Sequence, residues 1–176
     1  DAQLVLVNTS DNGLKSMLLP SINFNHCMVK VNADGKEHYL ELTSNFLPFR
    51  TFDLSSVNSL ILDIDDKNDS KKISLLDPLT RKKNTISRKV SIKTEDTDLV
   101  INEQNYRVAA AAGYSREKYT DLSEKDRLKQ IQEAIRNSSP TAEVIKVSFK
   151  NLQNSGNRDT VFTTIDYKIK DDIKNI

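Results

Sequence analysis

Residues 24–43, FNHCMVKVNADGKEHYLELT, contain the clearest structural signal in the first half of the chain. Two runs suited to β-strands, 24–31 and 37–43, flank the dipeptide formed by Asp34 and Gly35. Asp-Gly between two such runs is a strong hairpin signal, because both central turn residues can take positive φ. The sequence therefore predicts an antiparallel hairpin with a two-residue turn.

The register of this hairpin brings a histidine close to a carboxylate. With Asp34 and Gly35 at the centre, facing residue numbers sum to 69, so Met28 faces Glu41 and His26 lies diagonally beside that acid. Diagonal Cβ atoms are roughly 7 Å apart, within reach of long side chains. A carboxylate there can hold one imidazole nitrogen and leave the other free as a base. A three-residue loop would instead move Glu41 to the other face, and a lone strand histidine is commonly only a packing residue.

The remaining sequence predicts a second, mixed unit after a polar connection. Strand-like runs lie at 4–8, 59–64, 85–93, 99–101, 144–149 and 160–169, with a turn at 154–157. Residues 106–112 fit a continuing strand, although the alanines at 109–112 fit a helix start equally well. Ser123 precedes acidic residues and a stripe of apolar residues at helical spacing, which predicts a helix through about residue 137.

These patterns predict an α+β protein. We expect a β-rich portion over 1–65, a linker over 66–84, and a carboxy-terminal α+β domain over 85–176. In that domain, one main helix would pack on an antiparallel sheet.

Composition excludes several classes of function. The chain has 26 basic and 25 acidic residues, and this balance gives no electrostatic case for nucleic-acid binding. A single cysteine and two histidines predict no disulfide framework and no metal site, and four glycines predict no phosphate-binding loop or cofactor. No run approaches the ~20 apolar residues that span a bilayer, so we predict no membrane insertion. Because the chain begins at Asp1, we expect a cut end.

Residues 19–31 (LPSINFNHCMVKV) and 34–43 (DGKEHYLELT) resemble the histidine strand and acid-bearing return of bacterial transglutaminase-like proteins, of the papain-like superfamily. The family pattern is F-N-H-hydrophobic, a D-G-K turn and Y-Y-L-D-x-T, followed by P-F-G. Here the last element is LPFR, residues 47–50. The resemblance covers about residues 4–64, and is looser over 85–170, which are similar to an uncharacterised extension in large exported proteins of Bacteroidetes-type bacteria.

The resemblance implies roles for individual residues. His26 takes the place of the general base, and Glu41 stands where the family has the triad Asp. The family's nucleophilic Cys lies at a helix start far upstream, outside this chain. Cys27 cannot replace it, because neighbours on a strand point to opposite faces, and we expect Cys27 in the core. His38 falls on the face away from His26 and is expected to be structural or exposed.

The same resemblance implies the function. The chain would be the carboxy-terminal fragment of a cysteine acyl-transfer or peptide/amide-hydrolysing protein, inactive alone, periplasmic or extracellular, with protein or peptide substrates. Its upstream segment would be a partner, and an apolar surface left by truncation could support a homodimer. The alternative is a non-catalytic binding or structural module of an exported bacterial protein. A Cys at a helix start upstream would distinguish the two.

Overall fold

The computed structural model describes residues 2–12, 24–49, 51–64, 73–75, 84–153 and 159–171. It divides the chain into two compact units, Asp1–Asn84 and Thr85–Ile176. Within the described residues, each unit contains one antiparallel sheet, and both helices belong to the second unit. The predicted α+β class is therefore confirmed.

The first unit is a five-stranded sheet in the order β3-β2-β1-β4-β5. Its strands are β1 Ala2–Asn8, β2 His26–Ala33, β3 Lys36–Leu40, β4 Leu60–Asp63 and β5 Ile73–Leu75. Strand β5 lies inside the segment predicted as a linker (66–84) and pairs with β4, so that segment contributes to the sheet. The rest of the predicted linker, apart from residue 84, lies outside the described residues.

The turn between β2 and β3 is the predicted two-residue turn. Asp34 and Gly35 have φ of 52° and 69°, and the ladder runs from Ala33↔Lys36 to Val29↔Leu40. All five pairs sum to 69, so the predicted register is confirmed. Strand β3 ends at Leu40, earlier than predicted, because the residues after it turn back on themselves through local hydrogen bonds.

The core of the first unit lies on one face of its sheet. It contains Val5, Val7, Met28, Phe52, Val57 and Ile61, and the irregular segment 51–59 supplies two of these. Because Met28 points into this core, its neighbour Cys27 points to the opposite face and is exposed. The expectation that Cys27 is a core residue was wrong. The side chains of His26 and Cys27 do point to opposite faces, as expected of neighbours on a strand.

A charged pair is buried on the same face as Met28. Lys30 Nζ donates to Asp63 Oδ2 at 2.6 Å, and the two side chains are only 8% and 10% exposed. Burial by itself would lower the pKa of Lys30, but the hydrogen bond to Asp63 and the charge of that carboxylate raise it overall. The other carboxylate oxygen, Asp63 Oδ1, has no hydrogen-bond partner among the described residues.

Along the chain, the described part of the second unit consists of a pair of strands, two helices and a second pair of strands. Its elements are β6 Ile86–Glu95, β7 Asp98–Val108, α1 Ala110–Tyr119, α2 Glu124–Arg136, β8 Ala142–Lys150 and β9 Thr160–Ile169, with sheet order β6-β7-β9-β8. Strand β7 ends at Val108, Ala109 takes a positive φ of 57°, and the following alanines begin α1. The helix alternative is thus the right one for that run, and the expected single main helix is joined by a second. The turn predicted at 154–157 lies outside the described residues.

Helix α2 forms where the sequence predicts it. The Ser123 hydroxyl accepts from Asp126 N at 3.1 Å, an N-cap that satisfies an otherwise unpaired backbone group. On its inner face, Ile131 packs with Ala142, Ile165 and Tyr167.

Helix α1 carries a fully buried arginine. Arg116 is 0% exposed, and its guanidinium donates to the carbonyl oxygens of Asn151 (3.1 Å) and Thr160 (2.9 Å). These two carbonyls stand on either side of the connection from β8 to β9, so Arg116 joins its two ends.

Candidate functional site

His26 and Glu41 meet at the end of the hairpin opposite the turn. His26 is the first residue of β2, and Glu41 immediately follows β3. The distance from His26 Nε2 to Glu41 Oε2 is 2.7 Å, a short hydrogen bond between diagonal neighbours. The side chain of Glu41 is 1% exposed and that of His26 is 20% exposed. The acid is therefore shielded from water while the imidazole stays accessible.

The carboxylate of Glu41 is fixed by the residue two positions later. Its Oε1 accepts from Thr43 N at 3.0 Å and from Thr43 Oγ1 at 2.6 Å. Both carboxylate oxygens are thus engaged, one by His26 and one by Thr43. This clamp was not predicted, because side chains that bond the backbone two residues on are characteristic of Asp, Asn, Ser and Thr, and not of Glu.

Hydrogen bonds between Thr9 and Asn25 fix the backbone beside His26. Thr9 N donates to Asn25 Oδ1 at 3.0 Å, and Asn25 Nδ2 donates to Thr9 Oγ1 at 2.6 Å. The backbone N–H of Asn25 also donates to Val7 O at 3.1 Å, just before β2 begins. These bonds tie the start of β2 to the end of β1, and so they position His26. Sequence reasoning missed them because they join residues 16 to 18 positions apart.

His26 and Glu41 line a small polar cleft of about 280 Å³. Its lining residues are Thr9, Asp11, Asn25, His26, Glu41, Thr43, Asp53, Ser55 and Ser56. Three are carboxylates, and none of the nine is Lys or Arg, so the cleft favours a neutral or cationic group over an anion.

One atom in the wall of this cleft lacks a hydrogen-bond partner. Ser56 is 0% exposed, and its hydroxyl forms no hydrogen bond within the described residues. Buried hydroxyl groups usually pair with a protein group or an ordered water molecule. The neighbouring Ser55, by contrast, is bound to Asp53 through both its N–H and its hydroxyl.

The arrangement assigns different tasks to the two ring nitrogens. When the imidazole is neutral, donation from Nε2 to Glu41 places the proton on that nitrogen and leaves the Nδ1 lone pair available as a base. A carboxylate in this position also stabilises the imidazolium that forms when the base takes up a proton.

The chain's only thiol does not belong to this cleft. Cys27 follows His26 on the same strand and is exposed on the opposite face of the sheet. His38 faces Val31 in the ladder and therefore points away from His26, as predicted. It is only 8% exposed, and the centroid of its ring lies 5.6 Å from that of the Phe49 ring. The surroundings of His38 are therefore those of a structural residue.

In the described part of the chain, no group of three His, Cys, Asp or Glu side chains could hold a metal ion. Within the same residues, no helix is both long and apolar enough to cross a membrane. No family model matches this sequence, and no curated protein or solved structure matches it either. The resemblance to transglutaminase-like proteins therefore stays a prediction.

Proposed function

We propose that His26 and Glu41 are the base and the orienting acid of a thiol-dependent centre for acyl transfer or amide hydrolysis. The thiol would come from a segment beyond these 176 residues. The observation that carries this proposal is the 2.7 Å contact between His26 Nε2 and a carboxylate that is 1% exposed. An accessible imidazole held by a shielded acid is the arrangement that prepares a histidine to activate a nucleophile.

The proposed reaction has two steps. His26 Nδ1 takes the proton of the thiol, the thiolate attacks the amide carbonyl, and the amine leaves with the proton from Nδ1. This step forms a thioester and breaks the C–N bond. A water molecule or a second amine then gives a proton to Nδ1 and attacks the thioester, and the released thiolate recovers that proton. Glu41 holds Nε2 and stabilises the imidazolium.

The hydrogen bonds from Thr43 compensate for the longer side chain of Glu41, which stands where the family pattern has Asp. Glu carries an additional methylene and one more rotatable bond, which would normally hold the imidazole less firmly. The two bonds from Thr43 to Oε1 restrict that freedom, and the 2.7 Å contact shows that the longer side chain still reaches His26.

The experiment uses the full-length natural gene product and begins by asking whether it carries a second cysteine. Alkylation of that cysteine by iodoacetamide at about pH 6 reports how much thiolate is present. We expect the rate to fall roughly tenfold or more in His26→Gln, because the thiolate–imidazolium pair is lost. Thr43→Val is expected to lower it less, and His38→Gln, the matched control, is expected to leave it unchanged.

Two results would reject the proposal: a full-length product whose only cysteine is Cys27, or a rate that His26→Gln leaves unchanged. Either would favour the second candidate, a non-catalytic binding or structural module. That candidate is supported by the position of Cys27 on the opposite face and by Glu in place of Asp. In such a module, His26→Gln would lower the free energy of unfolding without changing any thiol's reactivity.

A further inference from the structure

The two edges of the second sheet differ. Strand β8 forms one edge, and its register shifts between Val144 and Lys146. Strand β6 forms the other edge; its ten residues keep one continuous register with β7 and are all exposed. Bulges are a common device by which proteins protect an edge from further pairing. Strand β6 has no such interruption and no proline.

The backbone of β6 can accept a further strand. Val108 N donates to Thr85 O at 2.9 Å, so these facing residues form a hydrogen-bonded pair. In an antiparallel ladder such pairs alternate, and the N–H and C=O groups of Ile86, Val90 and Ile92 therefore point away from β7. Within the described residues, no strand pairs with this side of β6.

One face of β6 carries Ile86, Val90 and Ile92 together with Arg88 and Thr94, and the other carries the two lysines. Ile86, Val90 and Ile92 are 65%, 41% and 59% exposed, and they lie on the face of the sheet that packs against α2. The opposite face of β6 carries Ser87, Lys89, Ser91, Lys93 and, at the end of the strand, Glu95. An added strand would thus meet apolar side chains on one face and two ammonium groups on the other.

Charge selects the kind of strand that fits. Strand β6 contains Arg88, Lys89 and Lys93 and one acid, Glu95, which is paired with Lys168. Arg88 is paired with Glu103, whereas neither lysine has an ion pair within the described residues. Pairing with a second copy of β6 would bring two sets of basic side chains together, and like charges across strands are destabilising. An acidic strand would instead be attracted.

We infer that β6 is a docking edge for an extended segment of another protein in which apolar and acidic residues alternate. The segment adds to the sheet as a fifth strand. Its apolar side chains lie beside Ile86, Val90 and Ile92, and its acids lie beside Lys89 and Lys93. Main-chain hydrogen bonds supply affinity in this mode of recognition, and the alternate side chains supply specificity. The inference is independent of the chemistry at His26.

The test measures fluorescence anisotropy of two labelled peptides, one alternating Glu with Val and Ile, and the other with Lys in place of every Glu. We expect saturable binding of the acidic peptide, roughly tenfold tighter than that of the basic one. The double variant K89E/K93E should reverse this preference. K125E/K129E makes the same charge change on the exposed face of α2 and should leave the preference unchanged.

Amide hydrogen exchange locates the bound peptide, which should slow exchange at residues 86, 90 and 92. Ile92→Thr should weaken binding a few-fold, whereas Ile145→Thr, at a 57% exposed position on β8, should not. Several results would overturn the inference: no saturable binding, equal affinity for both peptides, or an equal effect of the two charge reversals. Concentration-dependent self-association that protects β6 without peptide would assign the edge to a second copy and would also overturn it.

Discussion

The two units each bury a cation, and they compensate it in different ways. In the first unit, the ammonium of Lys30 meets the carboxylate of Asp63 at 2.6 Å. In the second, the guanidinium of Arg116 meets the backbone carbonyls of Asn151 and Thr160. A side-chain pair can be replaced by two apolar residues, but backbone carbonyls cannot be removed by substitution. Substituting both side chains can therefore replace the first arrangement, whereas substituting Arg116 leaves the two carbonyls in place.

The largest effect is expected from breaking the arrangement in the second unit. Arg116→Met would leave two carbonyls without their charged donor, which we expect to lower the free energy of unfolding by about 4 kcal/mol. Urea unfolding followed by far-UV circular dichroism measures the loss. Both hydrogen bonds come from the same nitrogen, Nη2. Arg116→Lys should recover only part of the loss, because the shorter lysine side chain ends one bond before the position of Nη2. A loss below about 1 kcal/mol in Arg116→Met would contradict this interpretation.

The next effect concerns the pair of Lys30 and Asp63. Lys30→Met would leave Asp63 buried without its counter-charge, and we expect a loss of about 3 kcal/mol in the free energy of unfolding. Adding Asp63→Leu should bring the double variant back to within about 1 kcal/mol of the wild type, since an apolar pair needs no charge compensation. The same urea titration tests both. A double variant no more stable than Lys30→Met would show that the two side chains cannot be replaced in this way.

The smallest expected effect is a difference between the two buried cations in their response to pH. The pKa of Lys30 is raised in the fold, so its stabilisation is complete below the unfolded value of 10.5 and is lost as pH rises through the folded value. Burial and the nearby Asp63 charge also raise the pKa of Tyr39, which has the same sign. The free energy of unfolding should thus decline above about pH 10. Arg116 stays protonated and contributes nothing to this decline.

Unfolding titrations at several alkaline pH values measure that slope. The variant K30M/D63L, which removes the lysine and the carboxylate together, should show a shallower decline than the wild type. If both decline equally, the pair does not carry the alkaline sensitivity.

The hairpin and the contact between His26 and Glu41 could be predicted from the sequence, because the determinants are local. The Asp34–Gly35 turn sets which residues face each other, and the period of two sets which share a side. From those two facts the proximity of the histidine and the acid follows by counting.

Other features depend on contacts that no short stretch of sequence specifies. The strand around Cys27 has apolar residues on both sides, and the core side was decided by the packing of Phe52 and Val57 from a distant irregular segment. Likewise, nothing local distinguishes the buried Arg116 from an exposed helical arginine. Its environment is set by carbonyls 35 and 44 positions later.

The turn formed by Asp34 and Gly35 also has an evolutionary consequence. Five residue pairs separate it from the end of the hairpin where His26 lies, so substitutions in that interval that preserve the pairing leave the distance from the turn unchanged. Inserting one residue into β3 between the turn and Glu41 would move Glu41 to the other side of the sheet unless a bulge absorbed the insertion. Divergence within this segment is therefore expected to proceed by replacement and not by insertion or deletion, for as long as selection maintains the histidine–carboxylate contact.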